Sequence, residues 1–311
     1  MLVALTAMWG SAFTLTKIAV SGLPAELVVA GRLVIASLLL VPLAFLLARR
    51  PPRGRRLWVY YTLIALLGNA LPFFLITWGQ RNIDSGLAGI LMAVMPLVTL
   101  GLAHYFVPGE RLKASRVVGF LLGFAGIVVL MGPEVLLKLT YEKGQLTPMF
   151  AVLGGAVCYA ISATLARLRP RSDAVSSAAA TTMIASFMVL PAVFTQGKVS
   201  VVTQATPAEW VAVALLGIFS TAIAAIVYFS LISRAGPTFV SQLNYLIPPW
   251  AVLMGITVLG ESPESSQLYA LGLILGGILL TQFDPFGSRP ARERQKAGQT
   301  AEVHESQVVP R

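Results

Sequence analysis

Ten stretches of this 311-residue chain carry no charged side chain: residues 1–16, 33–48, 57–80, 85–103, 117–133, 145–166, 174–197, 210–233, 235–260 and 265–283. A helix crosses roughly 30 Å of hydrocarbon with about 20 apolar residues, and most of these runs are near that length. The first two are short because Lys17 and Arg32 interrupt longer apolar stretches, near 2–20 and 25–47. No run shows the alternating polarity of a barrel strand, so a lipid-facing backbone here satisfies its own hydrogen bonds as helix. Only 12% of residues are charged, against roughly 25% in an ordinary soluble domain, and 56% are hydrophobic. That leaves too few polar groups to coat a soluble globule. The single cysteine, Cys158, excludes a disulfide scaffold, and the apolar content excludes disorder. The expected fold class is an all-α integral membrane protein with ten transmembrane helices.

The connections are brief and none is long enough to fold separately. Residues 284–311 differ, being polar without apolar periodicity, and are expected to form a disordered cytoplasmic tail. Of the 23 Lys and Arg residues, 17 fall on one side of the predicted membrane, in the loops around 49–56, 111–116, 167–171 and 234 and in the tail. Five fall on the other side (Lys17, Arg81, Lys138, Lys143, Lys198), and Arg32 lies within a span. The positive-inside rule then places both termini in the cytoplasm. With that placement, the net charge of +10 requires no nucleic-acid partner. The opening run lacks a basic leader and an A-x-A-like cleavage site, so it is expected to remain as a mature helix.

A repeat is visible at a period near 150 residues. Residues 9–17 (WGSAFTLTK) align with 159–167 (YAISATLAR), Leu66-Leu67-Gly68 with Leu215-Leu216-Gly217, and Trp78 with Tyr228. Pro96 followed by Glu110 answers Pro248 followed by Glu261, and glycines 119, 123 and 126 answer 272, 276 and 277. The units are residues 1–133 and 145–283, with five spans each. An odd count makes the second copy enter the bilayer from the opposite side, so two inverted five-helix repeats are expected. Inverted repeats give transporters two near-equivalent states open to opposite sides, with a substrate site near the midplane.

The Trp-Gly-Ser of span 1, Arg32 early in span 2, Pro96 and Glu110 around span 4 and the Gly-rich span 5, repeated over ten helices, resemble the drug/metabolite transporter superfamily. Within it the chain is similar to EamA-type exporters, of the YddG amino-acid exporter kind. The resemblance implies a bacterial inner-membrane protein with a central cavity lined by spans 1, 3, 4, 6, 8 and 9 and worked by alternating access. Two departures stand out: Tyr159 replaces the Trp9 of the first half, and no arginine answers Arg32.

Polar side chains are expensive in lipid, which makes buried ones candidates for function. In span 9, Gln242, Tyr245 and Pro249 share one helical face, with Asn244 beside it. Pro248 and Pro249 remove backbone donors and are expected to kink or loosen that helix. Met92 and Met95 precede Pro96 on span 4, where thioethers suit a cavity taking several side-chain shapes. The aromatic candidates are Trp9, Phe13, Phe74, Trp78, Tyr159 and Tyr228, which stack on apolar or cationic ligands or else form an interfacial belt. Ser11, Asn69, Thr77 and Ser162 are the small polar candidates, together with Thr14 and Thr164; such hydroxyls also commonly bond back to their own helix. Arg32 is expected to have a structural or gating pairing or to snorkel outward, with a substrate carboxylate as its other possible partner. Pro96, Pro248 and Pro249 are the remaining gating or structural candidates, and Lys17 reads as an interfacial anchor.

No carboxylate falls at mid-membrane, where a proton-coupled exporter usually keeps one. Downhill, facilitated movement of substrate is therefore expected. A cavity without paired fixed charge disfavours strongly anionic cargo and suits neutral or zwitterionic metabolites. The resemblance makes these amino acids, aromatic or hydrophobic ones included. Two alternatives remain, an organic-cation or drug exporter of the same fold and, distantly, an intramembrane enzyme. Against an enzyme, His104 is the only histidine in the membrane, no H-E-x-x-H exists, and no Gly-x-Ser nucleophile motif stands in a facing span. No catalytic residue, metal or cofactor is expected. One chain supplies both copies, so a monomer is expected.

Overall fold

The protein is described here from a computed structural model, which covers residues 1–47, 54–106, 114–131, 146–168, 173–195, 205–228, 231 and 243–282. Among these residues every regular element is a helix. We label them α1 (Leu2–Gly22), α2 (Ala25–Leu46), α3 (Arg55–Gly79), α4 (in two pieces, Ser85–Met92 and Met95–Phe106) and α5 (Ala114–Met131). The second set is α6 (Leu146–Leu168), α7 (Ala174–Thr195), α8 (Pro207–Tyr228), α9 (Leu243–Met254, continued by a wide turn, Gly255–Leu259) and α10 (Ser265–Gln282). Among the described residues, six segments are long and apolar enough to cross a membrane: Leu2–Gly22, Ala25–Leu46, Arg55–Gly79, Leu146–Ala166, Ala174–Val193 and Pro207–Tyr228. Shorter apolar helices occupy Ser85–Thr99, Leu246–Leu259 and Ser265–Leu280. The expected tail lies outside the described residues.

Local chemistry explains the helix boundaries and interruptions. α1 runs past Lys17 and ends at Gly22, because Leu23 precedes Pro24 and is held extended (φ −116°, ψ 144°). α8 begins with Pro207 directly after Thr206, where a missing N–H goes unnoticed. Span 4, expected as one continuous helix, breaks at Ala93–Val94. The ring of Pro96 would collide with the carbonyl four residues back, that of Met92, and Met92 is where the first piece stops. In α9 both Pro248 and Pro249 lie inside the helix, and the irregular turn comes later, at Gly255–Leu259. α3 and α8 each contain a π-helical segment, Leu66–Ala70 and Leu216–Ile223, starting within one residue of corresponding points of the sequence repeat. In α3 the wide turn sits just before Pro72, which has no N–H to offer Gly68.

The outer surface is apolar. Leu38, Phe45, Phe150, Phe187 and Tyr269 are each more than half exposed. Hydroxyls are tucked inside instead, among them Thr14, Thr77, Ser162, Ser177, Thr182 and Thr221. This inversion of the usual arrangement suits lipid as the solvent.

Two seams organise the bundle, and in both the helices run antiparallel. Val29, Ala30 and Leu33 at the start of α2 share a cluster with Ala185 and Val189 late in α7. Ala36 and Leu40, further along α2, cluster with Ala178 and Ala179 early in α7. The Ser37 and Ser186 hydroxyls meet between these clusters at 2.9 Å. In the second seam α5 and α10 approach backbone to backbone. A methyl added at Gly277 would lie 2.5 Å from the Gly119 carbonyl oxygen, and one at Gly126 3.1 Å from that of Ala270. Other contacts also come in matching sets, α1 with α8 and α9, and α6 with α3 and α4.

Candidate functional site

Where α1, α4 and α6 converge, Phe13, Met92 and Tyr159 border one apolar cluster made of Ile76, Ile83, Ala88, Leu91, Met149 and Val152. On the other flank of α1, the Trp9 ring lies 5.3 Å from that of Tyr228, tilted by 45°. That pair packs with Met8, Val227 and Ile247 around Leu5, Ala224, Leu231 and Leu243. Between the two groups, Trp250 Nε1 donates to Ser11 Oγ at 3.0 Å. Gly10 makes room for this indole, since a Cβ there would come 2.4 Å from Trp250 Cδ1. Rings, a thioether and one hydroxyl from helices of both halves thus come together about the middle of α1.

Trp9, Ser11, Phe13, Met92, Tyr159 and Tyr228 are brought into this region. Thr77 and Ser162 are buried, and Ser162 Oγ faces Gly68 in the wide turn of α3. Asn69, Phe74, Trp78 and Met95 are half-buried, apart from the contacts just described. Thr164 bonds to the Ala160 carbonyl of its own helix at 2.9 Å. Thr14 Oγ1 is buried without a hydrogen-bond partner among the described residues. Gln242 and the side chains of Asn244 and Tyr245 lie outside the described residues.

Arg32 does not snorkel. Its side chain is 6% exposed and ends between three helices. Nε and Nη2 donate to Thr221 Oγ1 at 3.2 and 3.1 Å, and the guanidinium carbon sits 3.8 Å from the centre of the Phe73 ring. The Thr221 hydroxyl itself donates to the Leu216 carbonyl, five residues back across the π-helical segment of α8. Phe73 in turn meets Tyr159 edge to face, with centroids 6.3 Å apart. A side chain from α2 therefore reaches the junction of α3, α6 and α8, and through Phe73 it abuts the Phe13–Met92–Tyr159 group.

A third set of contacts ties the bundle together at the end where α1 and α3 finish and α4 begins. Lys17 Nζ donates to the Ile83 carbonyl at 2.8 Å, so it is a cross-strut rather than a simple interfacial anchor. Gln80, fully buried, donates through Nε2 to the Phe13 carbonyl at 2.8 Å. Glu261 accepts from the Ser85 N–H at 2.7 Å (Oε1) and the Gly86 N–H at 3.0 Å (Oε2). It thereby caps the first turn of α4, where free amide donors favour a negative charge. At the neighbouring start of α8, buried Glu209 accepts from Thr206 and Ser21.

Trp250, Gln80 and the capping role of Glu261 escaped the sequence reading. Trp250 and Gln80 carried one available signal, a large or polar side chain inside a charge-free run. Their partners lie 239 and 67 residues away. For Glu261 the signal was its place in the repeat, opposite Glu110.

The profile of the EamA-like transporter family matches residues 1–132 and, again, 146–283. The chain is 27% identical over 280 residues to the uncharacterized inner membrane transporter YedA of Escherichia coli K12, covering 90% of this chain and 88% of that protein. It is 27% identical over 284 residues to the uncharacterized transporter YvbV of Bacillus subtilis, covering 89% and 88%. A probable terminal-alkyne amino-acid exporter of Streptantibioticus cattleyicolor is 26% identical over 281 residues, with 90% and 92% covered. A solved crystal structure, 20% identical, superposes with a TM-score of 0.60 over 90% of this chain and 98% of the other, and shares the fold. The all-helical bundle with its apolar perimeter agrees with these likenesses: the chain belongs to the EamA-like transporter family.

Proposed function

We propose that this chain exports small neutral or zwitterionic metabolites, amino acids with hydrophobic or aromatic side chains among them, by alternating access between two inverted five-helix halves. The observation that carries this reading is the antiparallel pairing of corresponding helices, α2 on α7 and α5 on α10. Such pairing is what two oppositely oriented copies produce when they share a two-fold axis in the membrane plane. The ten crossings, the repeat boundaries at 1–133 and 145–283, the cytoplasmic termini and a single chain as the working unit belong to the same reading.

The cargo class rests on the surface between the halves. Trp9, Phe13, Met92, Tyr159 and Tyr228 offer flat and polarizable faces that accept varied apolar groups, while Ser11 and Trp250 add neutral polar atoms. The relative named as an amino-acid exporter supports the same class. Buried Glu209 lies in the first turn of α8, not at its middle, so transport runs down the substrate gradient without obligatory proton exchange.

Counterflow in proteoliposomes, with a panel of amino acids and organic cations, tests the reading. Exchange of hydrophobic amino acids and indifference to cations is the expected outcome. Exchange of cations alone would favour a drug or cation exporter. Accumulation driven by an imposed proton gradient would overturn the downhill mechanism.

A further inference from the structure

The geometry points to a carboxylate-binding subsite at Arg32, completed by Thr221 and walled by Phe73 and Tyr159. It deepens the proposed function and rests on it for the identity of the cargo. A guanidinium stays charged under all ordinary conditions, and taking it out of water without an anion is strongly unfavourable. Here the side chain is 6% exposed, and what meets it is a hydroxyl oxygen and an aromatic face. Neither carries a negative charge, and among the described residues no carboxylate forms an ion pair with it.

The hydrogen bonds are also incomplete. Nε and Nη2 share a single acceptor, Thr221 Oγ1, and Nη1 makes no hydrogen bond among the described residues. An arginine in that condition retains a planar fork of donors, the arrangement that takes a carboxylate bidentately. The surroundings define what else the ligand carries. Phe73 leads to Tyr159, and Tyr159 borders Phe13 and Met92, so the ligand is a carboxylate bearing an apolar group. The second half has Thr182 at the position answering Arg32, and that hydroxyl bonds to the Ala178 carbonyl of its own helix. At the corresponding place in the second half, therefore, the described residues offer no second subsite of this kind.

The test compares L-leucine with L-leucinamide, which lacks the carboxylate, in proteoliposomes of the full chain and its Arg32→Gln and Arg32→Lys variants. Wild-type protein is expected to favour leucine by about tenfold or more, the value of one charged hydrogen-bonding pair. Arg32→Gln is expected to lower leucine exchange by about tenfold while leaving leucinamide within about twofold. Arg32→Lys, which keeps the charge without the fork, is expected to raise the KM for leucine and leave leucinamide unchanged. Equal losses for both probes, or no loss for either, in variants that melt like wild type would show a structural role and overturn the subsite. If wild-type protein exchanges neither probe, the transport reading fails by itself. The subsite is then decided by thermal melting in detergent: leucine and butyrate raise the midpoint of wild type but not of Arg32→Gln, or the subsite is wrong.

Discussion

The two seams between corresponding helices are built by opposite means. α5 and α10 are joined largely by absence: glycines at 119, 123 and 277 let main chains touch, and Gly126 makes room for the Ile274 side chain. α2 and α7 are joined by small side chains and a pair of hydroxyls, Ser37 and Ser186, with a buried arginine close by. In lipid, helix association gains little from excluding apolar surface and depends on close packing and hydrogen bonds. The glycine seam uses the first and has a single well-defined geometry. The hydroxyl seam uses the second, and Ser186 Oγ has an alternative partner, since it also donates to the Thr182 carbonyl of its own helix at 2.9 Å. The first is therefore read as the fixed seam and the second as the one able to shift while the bundle holds.

Gly277→Leu is the harshest way to test this contrast. Its new side chain would meet backbone that cannot step aside, and a loss of about 3 kcal/mol is expected, seen as collapse of the monodisperse peak or of the thermal midpoint in detergent. Glu261→Ala comes next, since it strips both acceptors from the Ser85 and Gly86 amides. About 1–3 kcal/mol should be lost, with Glu261→Gln recovering part of it, in denaturant melts of the purified protein. Trp250→Phe keeps an aromatic ring near Gly10 but removes the N–H to Ser11 together with part of the indole's volume. Its effect should be about 1–3 kcal/mol, and adding Ser11→Ala should cost less on that background than in the wild type. Ser37→Ala, in the tolerant seam, should cost about 0.6 kcal/mol, and the double change with Ser186→Ala less than twice that. A Ser37→Ala effect as large as that of Gly277→Leu would erase the distinction between the seams.

Much of the bundle was legible because its defining signal is local. A charge-free run about 20 residues long has few alternatives to a buried helix. Lys17 blurred the end of α1 only because its amine finds the Ile83 carbonyl, which no single-helix reasoning supplies. The break in α4 was encoded by Pro96, a residue the sequence marked without showing that the chain would stop four residues before it. The π-helical segments of α3 and α8 had no compositional mark, because any residue type can occupy a wide turn. In the candidate site, Trp9, Tyr159 and Tyr228 could be picked out by their matched positions in the two halves, and Phe13 by lying one helical turn from Trp9. Their pairing could not, since Trp9 meets Tyr228, and not Tyr159 with which it aligns. Arg32 was conspicuous as a charge in an apolar run, but its neighbours Phe73 and Thr221 come from helices 41 and 189 residues away along the chain.

The carboxylate of Glu261 bears on how the molecule can open. Under the proposed alternating access, parting α9 from α4 at that end would strip two amides and an anion of their partners in one motion, and only water could replace them. Glu261 is half-buried, with Gly260 and Ser262 exposed on either side, so water lies within reach of the join. Under the proposed mechanism, wetting of a few atoms at the mouth would accompany each opening of this join.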